Sequence, residues 1–482
     1  MLPKPERIFD RDREWSALTR FATSSSPDVR LGVVSGRRRQ GKTYLLDALA
    51  RQLGGLYFVA TEATEVESLR RFGEALAAHG GGGRYRLDTW EEALERLFAT
   101  VDEGVIVIDE FPYLVKAAPS LPSLIQRALD PRGVARHGVR LVLCGSAMSV
   151  MSRLLAGGAP LRGRASLDLV VRPLEYRLAA EFWGITDPRL AVLVNAVVGG
   201  TPAYRREFVG GDAPRDINDF SDWVIRTVLS PEVPLFREAR YLLAEEGEIR
   251  DTAIYHAVLG AIASGHGTRG GIASDIGRKS PDIGHPLAVL EDMQLIAKES
   301  DVFRKGRSTY RIAEPLITFY EAVMRPEWTR LSRGDAVGAW RNSQTRFSAQ
   351  VVGPHVEMLC REWAISAPDE VFGGPPGEVR SGIVADPAQR AQIQVDVAVM
   401  SPAVPGEVRR VLSLGECKWD RPMGVRHIQR LRRARDLLAV KGWDTSETVL
   451  ACYAGAEFEP ELRAVAERDP RVLLVDLDML YK

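Results

Sequence analysis

The chain has 482 residues, of which 45% are hydrophobic and 27% charged, a composition typical of about three ordinary globular domains. Lysine plus arginine and aspartate plus glutamate both number 64, so any attraction to nucleic acid must come from local patches. The four cysteines form no CxxC pair, which argues against a disulfide framework and a zinc finger.

The first residues, MLPKPERIFDRDREW, are too polar for a signal peptide, and no apolar run is long enough to span a bilayer. We therefore expect a cytoplasmic protein without a membrane partner.

A phosphate-binding motif follows the first predicted strand. Leu31 to Val34 are apolar, and GRRRQGKT then leads into an apolar helix. Gly36 and Gly41 allow backbone N–H groups to turn toward phosphate oxygens, and the helix adds its positive N-terminal end. Lys42 is predicted to reach the β and γ phosphates and Thr43 to hold Mg²⁺. The arginine run inside the loop is either a solvated rim or a phosphate ligand.

An acidic strand end is predicted at residues 105–110, VIVIDE. Four β-branched residues suit a strand that is buried on both faces of a parallel sheet. Asp109 is then placed to hold Mg²⁺ through water, and Glu110 to polarise the attacking water.

Two more strands are predicted in the first third of the chain. VRLVLCGSA (139–147) contains Ser146, either a γ-phosphate sensor or a helix cap. LGGLYFVATEA (53–63) is another apolar strand. Strands that alternate with helices predict an α/β P-loop NTPase with a parallel sheet and the ligand at the carboxyl ends of its strands.

These motifs resemble a known family. FDRDREWSAL, GRRRQGKT, VIVIDEFPYL, LVLCGSAMSVM, APLRGRASLDLVVRPL and VGGTPAYRREF are similar, in order, to the archaeal-type ATPase family. This family is AAA+/STAND-like and also occurs in bacteria. The resemblance covers roughly residues 7–325, with a further match near the C-terminus.

The resemblance implies ATP as the nucleotide. It also implies Arg11 near the adenine pocket, Arg164 as an arginine finger and Pro202 packed on the base. The alternatives are that Arg164 is an ordinary surface arginine and that the GTP at 200–202 is an ordinary turn.

The middle of the chain has the pattern of a winged helix: a helix at 253–263, a short helix, a turn at 277–280, a second helix and a hairpin that turns at Lys305 and Gly306. Such a module binds DNA or serves as a structural lid. The second helix is acidic, which disfavours base reading. Four basic residues of the hairpin could contact phosphates. They are Lys298, Arg304, Lys305 and Arg307.

Ordered acidic residues characterise the last part of the chain. VGPHVEMLCREWA (351–364) predicts an amphipathic helix with Glu357. QIQVDVAVM (392–400) alternates, with valines on one face and Asp396 on the other. The same period of two puts Glu416 and Lys418 on one face of the next strand.

An acid on one strand and acid-x-lysine on the next is the arrangement of PD-(D/E)XK nucleases. Glu357, Asp396 and Glu416 are the candidate Mg²⁺ ligands, and Lys418 would activate water and stabilise the charge at phosphorus. The alternative is an exposed ion pair on an edge strand, without function. The C-terminal module of the family named above is similar to this nuclease superfamily. The departure here is that no proline–aspartate pair precedes the strand.

We predict a P-loop ATPase domain at 1–210, a helical lid and winged-helix domain at 211–325, a linker at 326–345 and a nuclease-like α/β domain at 346–482. The expected function is ATP hydrolysis coupled to action on DNA, with Mg²⁺-dependent cleavage. The alternative is an ATP-dependent switch whose C-terminal domain binds DNA or a protein partner without cleavage. Self-association is a further expectation, because an arginine finger can act between subunits.

Overall fold

The computed structural model describes residues 2–25, 30–83, 85–135, 138–244 and 252–482. Two compact units make up the chain. The N-terminal unit comprises Met1–Leu174 with the short segments Thr201–Ala203 and Asp292–Gln294, and the C-terminal unit comprises Glu175–Gly200, Tyr204–Glu291 and Leu295–Lys482. The domain boundaries expected from the sequence, at 210, 325 and 345, stay predictions.

Helices and parallel strands alternate in the N-terminal unit, as the sequence predicts. Its helices are α1 (Asp12–Ala22), α2 (Lys42–Leu53), α3 (Glu65–Gly80), α4 (Trp90–Thr100), α5 (Phe111–Ala117), α6 (Leu121–Ala128) and α7 (Met148–Leu155). Its strands are β1 (Arg30–Ser35), β2 (Leu56–Val59), β3 (Gly104–Asp109), β4 (Val139–Gly145) and β5 (Ala165–Val170). The strand expected at 53–63 is shorter, because α2 continues to Leu53.

The described strands of the N-terminal unit pair in parallel, in the order β2-β3-β4-β1-β5. Alternate residues of β3 belong to two different apolar clusters: Ile106 and Ile108 to one, Val105 and Val107 to the other. The sheet is therefore buried on both faces, as the β-branched run predicts. Its carboxyl edge collects the ends of β1, β3 and β4, which carry the candidate nucleotide-binding residues.

Short helices dominate the first half of the C-terminal unit. They are α8 (Tyr176–Trp183), α9 (Pro188–Val198), α10 (Phe220–Arg226), α11 (Leu235–Ala244), α12 (Thr252–Ala263), α13 (Arg269–Asp275), α14 (Gly284–Asp292), α15 (Pro315–Phe319), α16 (Trp328–Leu331) and α17 (Ala336–Arg346). The strands β6 (Ile296–Ser300) and β7 (Ser308–Ile312) form an antiparallel hairpin. A 3-10 turn covers Ser280–Ile283, and π-helical turns cover Tyr204–Phe208, Tyr320–Met324 and Phe347–Val352.

The predicted sequence of helices and hairpin is present at 252–312. Ile283, Leu287 and Leu290 are buried, as the helical spacing predicts. Gly277 and Gly306 have φ values of 67° and 76°, so both turns use the left-handed region that favours glycine. The winged-helix interpretation of these elements stays a prediction.

The segment expected to be a linker is packed. Residues 326–345 contain α16 and most of α17. The Trp340 ring of α17 lies 5.0 Å from Phe347 and 6.2 Å from Phe220, centroid to centroid. The broken apolar periodicity of this segment reflects short helices that end at turns, and aromatic contacts hold them in the core.

A mixed sheet forms the last part of the C-terminal unit. Its helices are α18 (Gly353–Ser366), α19 (Asp369–Phe372), α20 (Val425–Val440), α21 (Pro460–Arg468) and α22 (Leu477–Tyr481). Its strands are β8 (Glu378–Asp386), β9 (Ala391–Met400), β10 (Val411–Lys418), β11 (Val449–Ala454) and β12 (Val472–Val475), in the order β12-β11-β10-β9-β8. β8, β9 and β10 pair antiparallel, and β10, β11 and β12 pair in parallel.

The position of β10 contradicts the edge-strand alternative. β10 is the middle strand of the described sheet, between β9 and β11. Both faces of β9 are buried from Val395 onward, so Asp396 lies in the interior and not on a polar outer face. The alternation of apolar and polar residues in β9 predicts which residues share a face. It does not predict that both faces are buried, because that depends on the packing of α18 and α20 on the sheet.

Candidate functional site

The P-loop begins where β1 ends and finishes at the first turn of α2. Gly36 has a φ of 144°, and a Cβ atom there would lie 2.4 Å from the carbonyl oxygen of Val171. Gly41 has a φ of 88° and precedes α2. Backbone strain and crowding therefore require glycine at Gly36, and the left-handed φ favours it at Gly41.

Lys42 is buried inside this loop. Its Nζ donates to the carbonyl oxygens of Gly36, at 2.6 Å, and Arg37, at 2.9 Å. Burial lowers the pKa of the Lys42 ammonium, and the nearby carboxyl groups of Glu110 and Asp109 oppose that shift. The loop thus holds one cation at its centre, where phosphate oxygens could replace the carbonyl oxygens as its acceptors.

Asp109 connects three elements at the carboxyl edge of the sheet. Its Oδ2 accepts hydrogen bonds from Thr43 Oγ1 at 3.0 Å and from Tyr57 OH at 2.7 Å. Its Oδ1 accepts from the backbone N–H of Glu110 at 2.9 Å. Burial, followed by the Asp109 charge, raises the pKa of Tyr57, so this phenol stays a donor. Thr43 and Asp109 are adjacent, as expected of two residues that share a Mg²⁺ ion.

Ser146 contacts Glu110 and is not a helix cap. Its Oγ donates to the Glu110 carboxylate, with distances of 2.9 and 3.1 Å to the two oxygens. It accepts from Arg38 Nε at 3.2 Å, and Arg38 also donates to Tyr113 OH at 2.8 Å. The N-cap of α7 is Ala147, without a side-chain hydrogen bond. A residue of the arginine run thus reaches the predicted catalytic glutamate through Ser146.

Arg11 and the segment before Pro202 both contact the P-loop. Arg11 is buried, and its guanidinium donates to the carbonyl oxygen of Gln40 at 3.3 Å. The side chain of Gln40 donates to Thr201 Oγ1 at 3.0 Å. The residues that the family resemblance assigns to the adenine pocket therefore lie on one side of the loop, although they are about 190 positions apart in sequence.

Arg164 lies at the opposite edge of the same sheet. It directly precedes β5, and the next residue, Ala165, pairs with Leu31 near the start of β1. The P-loop follows the other end of β1, so the length of the strand separates the two. Arg164 pairs with Asp130 at 3.3 Å. Arg164 is therefore separated from the P-loop of its own chain, and its role as an arginine finger stays a prediction.

The C-terminal candidates meet around the middle of the mixed sheet. Asp396 of β9 accepts from the backbone N–H of Cys417 at 2.9 Å and from the Gln394 side chain at 3.0 Å. Glu416 of β10 is 2% exposed. Asp396 and Glu416 therefore belong to neighbouring strands and to one buried environment. We call Glu357, Asp396, Glu416 and Lys418 the carboxylate site.

The two oxygens of Glu416 have different surroundings. Oε1 lies 3.0 Å from Lys418 Nζ and 3.0 Å from an Arg430 nitrogen. Oε2 is buried and has no hydrogen-bond partner among the described residues. An unsatisfied buried carboxylate oxygen is unusual and indicates a partner outside the chain, such as water or a cation.

Glu357 of α18 completes the carboxylate site from the helix side. Burial, followed by the charge of Asp396, raises the pKa of Glu357 to about 7. Burial also raises the pKa of Asp396. Arg361, one turn after Glu357, donates to the backbone oxygen of Asp396 at 3.0 Å. Carboxyl groups this close repel one another when charged, and a bound cation would relieve that repulsion.

The donor set suits Mg²⁺ in its chemistry. Mg²⁺ binds oxygen ligands and is commonly held by one or two carboxylates with several waters. Asp396 and Glu416 offer such a pair, and the unpartnered Oε2 is a free ligand atom. Among the residues that the structure describes, no group of three His, Cys, Asp or Glu side chains is close enough to enclose a metal ion by itself.

Gly415, next to Glu416, lies where the middle strands of the mixed sheet pack closely. A Cβ at this position would lie 2.6 Å from the Tyr453 ring and 3.2 Å from the Val397 oxygen. The glycine therefore permits close packing between β9, β10 and β11, and the space belongs to the core.

Comparison with known proteins finds a similarity in the first part of the chain. Residues 8–186 match the family model described as an ATPase domain predominantly from Archaea. An uncharacterized protein of Methanocaldococcus jannaschii is 27% identical over 331 residues, which cover 67% of this chain and 70% of the relative.

Three solved structures are similar in backbone. A Walker-type ATPase of Pyrococcus abyssi has 20% identity, a TM-score of 0.48 and coverage of 67% of this chain and 98% of its own. The ORC2 protein of Aeropyrum pernix, in ADPNP–ADP complexes, has 15% identity and a TM-score of 0.40. The match covers 71% of this chain and 99% of the ORC2 chain. The ORC1 protein of Aeropyrum pernix, in complex with DNA, has 17% identity and a TM-score of 0.28. The match covers 68% of this chain and 95% of the ORC1 chain.

The residues that match this family model include the P-loop, Asp109, Glu110 and Ser146, whereas the carboxylate site lies outside residues 8–186. Among the helices that the structure describes, none combines the length and the apolar surface that crossing a membrane requires.

Sequence reasoning missed individual residues at both sites. Tyr57 reaches Asp109 from the neighbouring strand, and Arg361 and Arg430 reach the carboxylate site from helices. The basic pattern of 426–438 indicates a charged helix but does not single out Arg430. For Tyr57, the signal is a polar hydroxyl within the predicted apolar strand 53–63, and the structure pairs this strand with β3.

Proposed function

We propose that the protein couples Mg²⁺-dependent ATP hydrolysis to the cleavage of DNA by its carboxylate site. The ATPase part is supported by the match of residues 8–186 to the archaeal ATPase domain family. The DNA-cleaving part is carried by one observation: Glu416 is buried beside Asp396 with one carboxylate oxygen unpartnered among the described residues.

At the P-loop, each residue would have a separate task. Lys42 would donate to β and γ phosphate oxygens, and Thr43 with Asp109 would hold the Mg²⁺ of the nucleotide. Glu110 would orient and polarise the attacking water. Ser146 would sense the γ phosphate, because it donates to Glu110 and would have to exchange that contact for a phosphate oxygen.

Arg11 and Pro202 would contribute to the adenine pocket on the side of the loop that Gln40 contacts.

Arg164 would complete the site of a neighbouring copy. If so, hydrolysis per subunit should rise with protein concentration, and Arg164→Ala should flatten that rise. Arg153→Ala, another arginine of the same unit, is the control. A rate per subunit that stays constant on dilution would exclude the finger.

In the carboxylate site, Asp396 and Glu416 would hold Mg²⁺, with Glu357 as a further ligand from α18. Mg²⁺ supplies charge neutralisation at the scissile phosphate when it is bound. Lys418 lies 3.0 Å from Glu416 and is partly exposed, so it can orient the attacking water and donate to the phosphate oxygens in the transition state. Arg430 would hold Glu416 in position through its 3.0 Å contact with Oε1.

The test is nicking of supercoiled and linear DNA by the full chain, with Mg²⁺ or Mn²⁺ and with or without ATP. Asp396→Ala and Lys418→Ala should each abolish cleavage while ATP hydrolysis continues. Lys441→Ala, an exposed lysine of the same unit, should cut as the parent does. Cleavage that survives both site mutations would place the activity elsewhere.

A second candidate function is an ATP-dependent switch whose C-terminal unit binds DNA or a protein partner without cleavage. It is favoured by the Glu416–Lys418–Arg430 ion pairs, which already neutralise one carboxylate oxygen without a metal. Failure of the parent to cut any DNA, together with ATP-dependent binding, would select this candidate.

The region 211–325 would act as a lid and winged helix in either case. DNA contact there would use phosphates rather than base edges, because the 3-10 turn carries Asp282 and α14 carries Glu291 and Asp292. The basic hairpin residues, Lys298, Arg304, Lys305 and Arg307, would make these contacts. Replacing all four by alanine should weaken binding equally for all DNA sequences.

A further inference from the structure

An open cavity of about 840 Å³ lies in the C-terminal unit at the end of β10. Lys418 lines it, and so do the next three residues of the chain, Trp419 to Arg421. Because Lys418 also contacts Glu416, the cavity begins at the carboxylate site. Its volume lies within the ~300–1,000 Å³ range of pockets that enclose a small ligand or one part of a large one.

The lining of the cavity is positively charged. Among the described residues, four cationic side chains line it and Asp420 is the only carboxylate that does so. Asp420 already has partners within the chain, because Arg189 and Ser348 both contact it. Arg421 and Arg426 are exposed and have no ion-pair partner in the part of the chain that the structure describes. Two free guanidinium groups beside Lys418 are suited to phosphate oxygens.

The inner wall of the cavity is apolar but has one unsatisfied donor. Phe220, Phe347 and Trp340 line it from three different helical segments. Trp340 is only 4% exposed, and its Nε1 has no acceptor among the described residues. A buried indole N–H normally has a partner, so this one indicates an acceptor that the described chain does not supply.

We infer that this cavity binds an unpaired nucleotide of a DNA strand next to the phosphate that the carboxylate site cuts. Arg421 and Arg426 contact the backbone phosphates, the apolar wall contacts the base, and Trp340 Nε1 donates to a base acceptor. A paired base cannot enter, because its faces are stacked and its edge is occupied. The inference rests on the proposed action on DNA and names its substrate class: strands with unpaired ends, flaps or bubbles.

The test measures binding without cleavage. The full chain is titrated, in EDTA and at one fixed salt concentration, into three fluorescent DNAs: a single strand, a duplex with an unpaired flap, and a blunt duplex of the same sequence. We expect the first two to bind at least about tenfold more tightly than the blunt duplex. Equal affinity for all three would overturn the inference.

Matched variants assign the binding to the cavity. Arg421→Ala and Arg426→Ala should each weaken binding of the unpaired DNAs by about three- to tenfold. Each should also make the slope of log affinity against log salt concentration shallower by about one. Arg435→Ala, on the same helix as Arg426 but outside the cavity, is the control. An equal loss with Arg435→Ala would mean a general charge effect and would overturn the assignment.

Trp340→Phe keeps an apolar ring and removes only the N–H. It should weaken binding of the single strand by a few fold and leave the blunt duplex unchanged, with a circular dichroism spectrum like that of the parent. Displacement of the labelled strand by deoxyadenosine monophosphate at equal nucleotide concentration would instead identify a pocket for free nucleotides and would overturn the inference.

Because the binding measurement contains no divalent metal, it separates the two proposals. Discrimination in binding without any cleavage in Mg²⁺ would refute the nuclease and support the cavity inference. Cleavage of blunt duplex without discrimination in binding would support the nuclease and refute the cavity inference.

Discussion

The P-loop and the carboxylate site each hold a buried or half-buried lysine, but they hold it by different means. The partners of Lys42 are carbonyl oxygens five and six residues earlier in the same loop. The partner of Lys418 is Glu416, whose oxygen is shared with Arg430, fourteen residues further along the chain. Asp396 is held by an amide 21 residues away.

This difference determines where each site is vulnerable. The P-loop is a local structure that depends on two glycines and one helix start, so substitutions of its own residues should reduce ATP binding more than substitutions elsewhere. The carboxylate site depends on two strands and two helices that meet in a core, and its buried charges make it sensitive to pH and to packing.

Lys42→Ala should remove ATP binding, by at least ~100-fold, because it removes the buried ammonium that would donate to the β and γ phosphates. A fluorescent ATP analogue measures the affinity. Lys116→Ala, an exposed lysine of the same unit paired with Glu62, is the control and should bind as the parent does. DNA binding in EDTA should persist in Lys42→Ala. Tight nucleotide binding by this variant would refute the claim that ATP binding depends on the residues of the P-loop itself.

Glu110→Gln should bind ATP and hydrolyse it about 10²–10⁴-fold more slowly, because the amide keeps the shape of the side chain and loses the base. Phosphate release measures the rate. Ser146→Ala is the companion variant: it removes a hydrogen bond to the carboxylate and should change the rate far less than Glu110→Gln does. Unchanged turnover in Glu110→Gln would assign the base to another residue.

Glu357→Gln should stabilise the protein at alkaline pH. The folded state raises the pKa of Glu357 to about 7, so the folded state binds more protons than the unfolded state between roughly pH 4 and 7. The stability from this group is complete below that range and is lost as the pH rises through 7. Since 30% of the side chain is accessible, we expect a gain of only ~1–2 kcal/mol at pH 8 and little at pH 4.

Thermal and urea unfolding in EDTA at the two pH values measure this effect, with Glu370→Gln, an exposed carboxyl of α19, as the control. Added Mg²⁺ should stabilise the parent more than Glu357→Gln at pH 8, because the variant has one charged ligand fewer. Equal stability of both proteins at all pH values would mean that the carboxyl groups do not repel one another.

Tyr57→Phe should have the smallest effect, about 1 kcal/mol or a roughly fivefold loss in ATP turnover, because Asp109 keeps its contacts with Thr43 and the Glu110 amide. The Mg²⁺ dependence of hydrolysis measures it, and Tyr85→Phe, a tyrosine of the same unit that packs on Arg96, is the matched control. A loss as large as that of Glu110→Gln would show that the P-loop site also depends on remote contacts.

Much of the N-terminal unit is predictable from short windows of sequence. The β-branched run of β3 predicts a strand buried on both faces, and two apolar clusters on opposite faces confirm it. The glycines at 36 and 41 are predictable because their φ values permit little else. Arg164 is different: its motif suggests a finger, but the register of β5 against β1 decides that it lies far from the loop of its own chain.

The carboxylate site is predictable only in outline. Period-two alternation puts Glu416 and Lys418 on one face of β10, and their 3.0 Å contact agrees with it. The pattern says nothing about which strand is central, so the exposed-pair alternative fails only when β11 is found on the other side of β10. Gly415 illustrates the same limit, because its neighbour Tyr453 comes from that strand.

The sequence alone determined the features that depend on neighbours within a few positions: the phosphate loop, the strand ends at Asp109 and Ser146, and the spacing of Glu416 and Lys418. Backbone sterics and side-chain periodicity act over that range. Only the tertiary structure decided the burial of Glu416, the contacts of Tyr57, Arg361 and Arg430, and the cavity beside Lys418. These depend on elements distant in sequence, whose meeting is set by the packing of whole helices and strands.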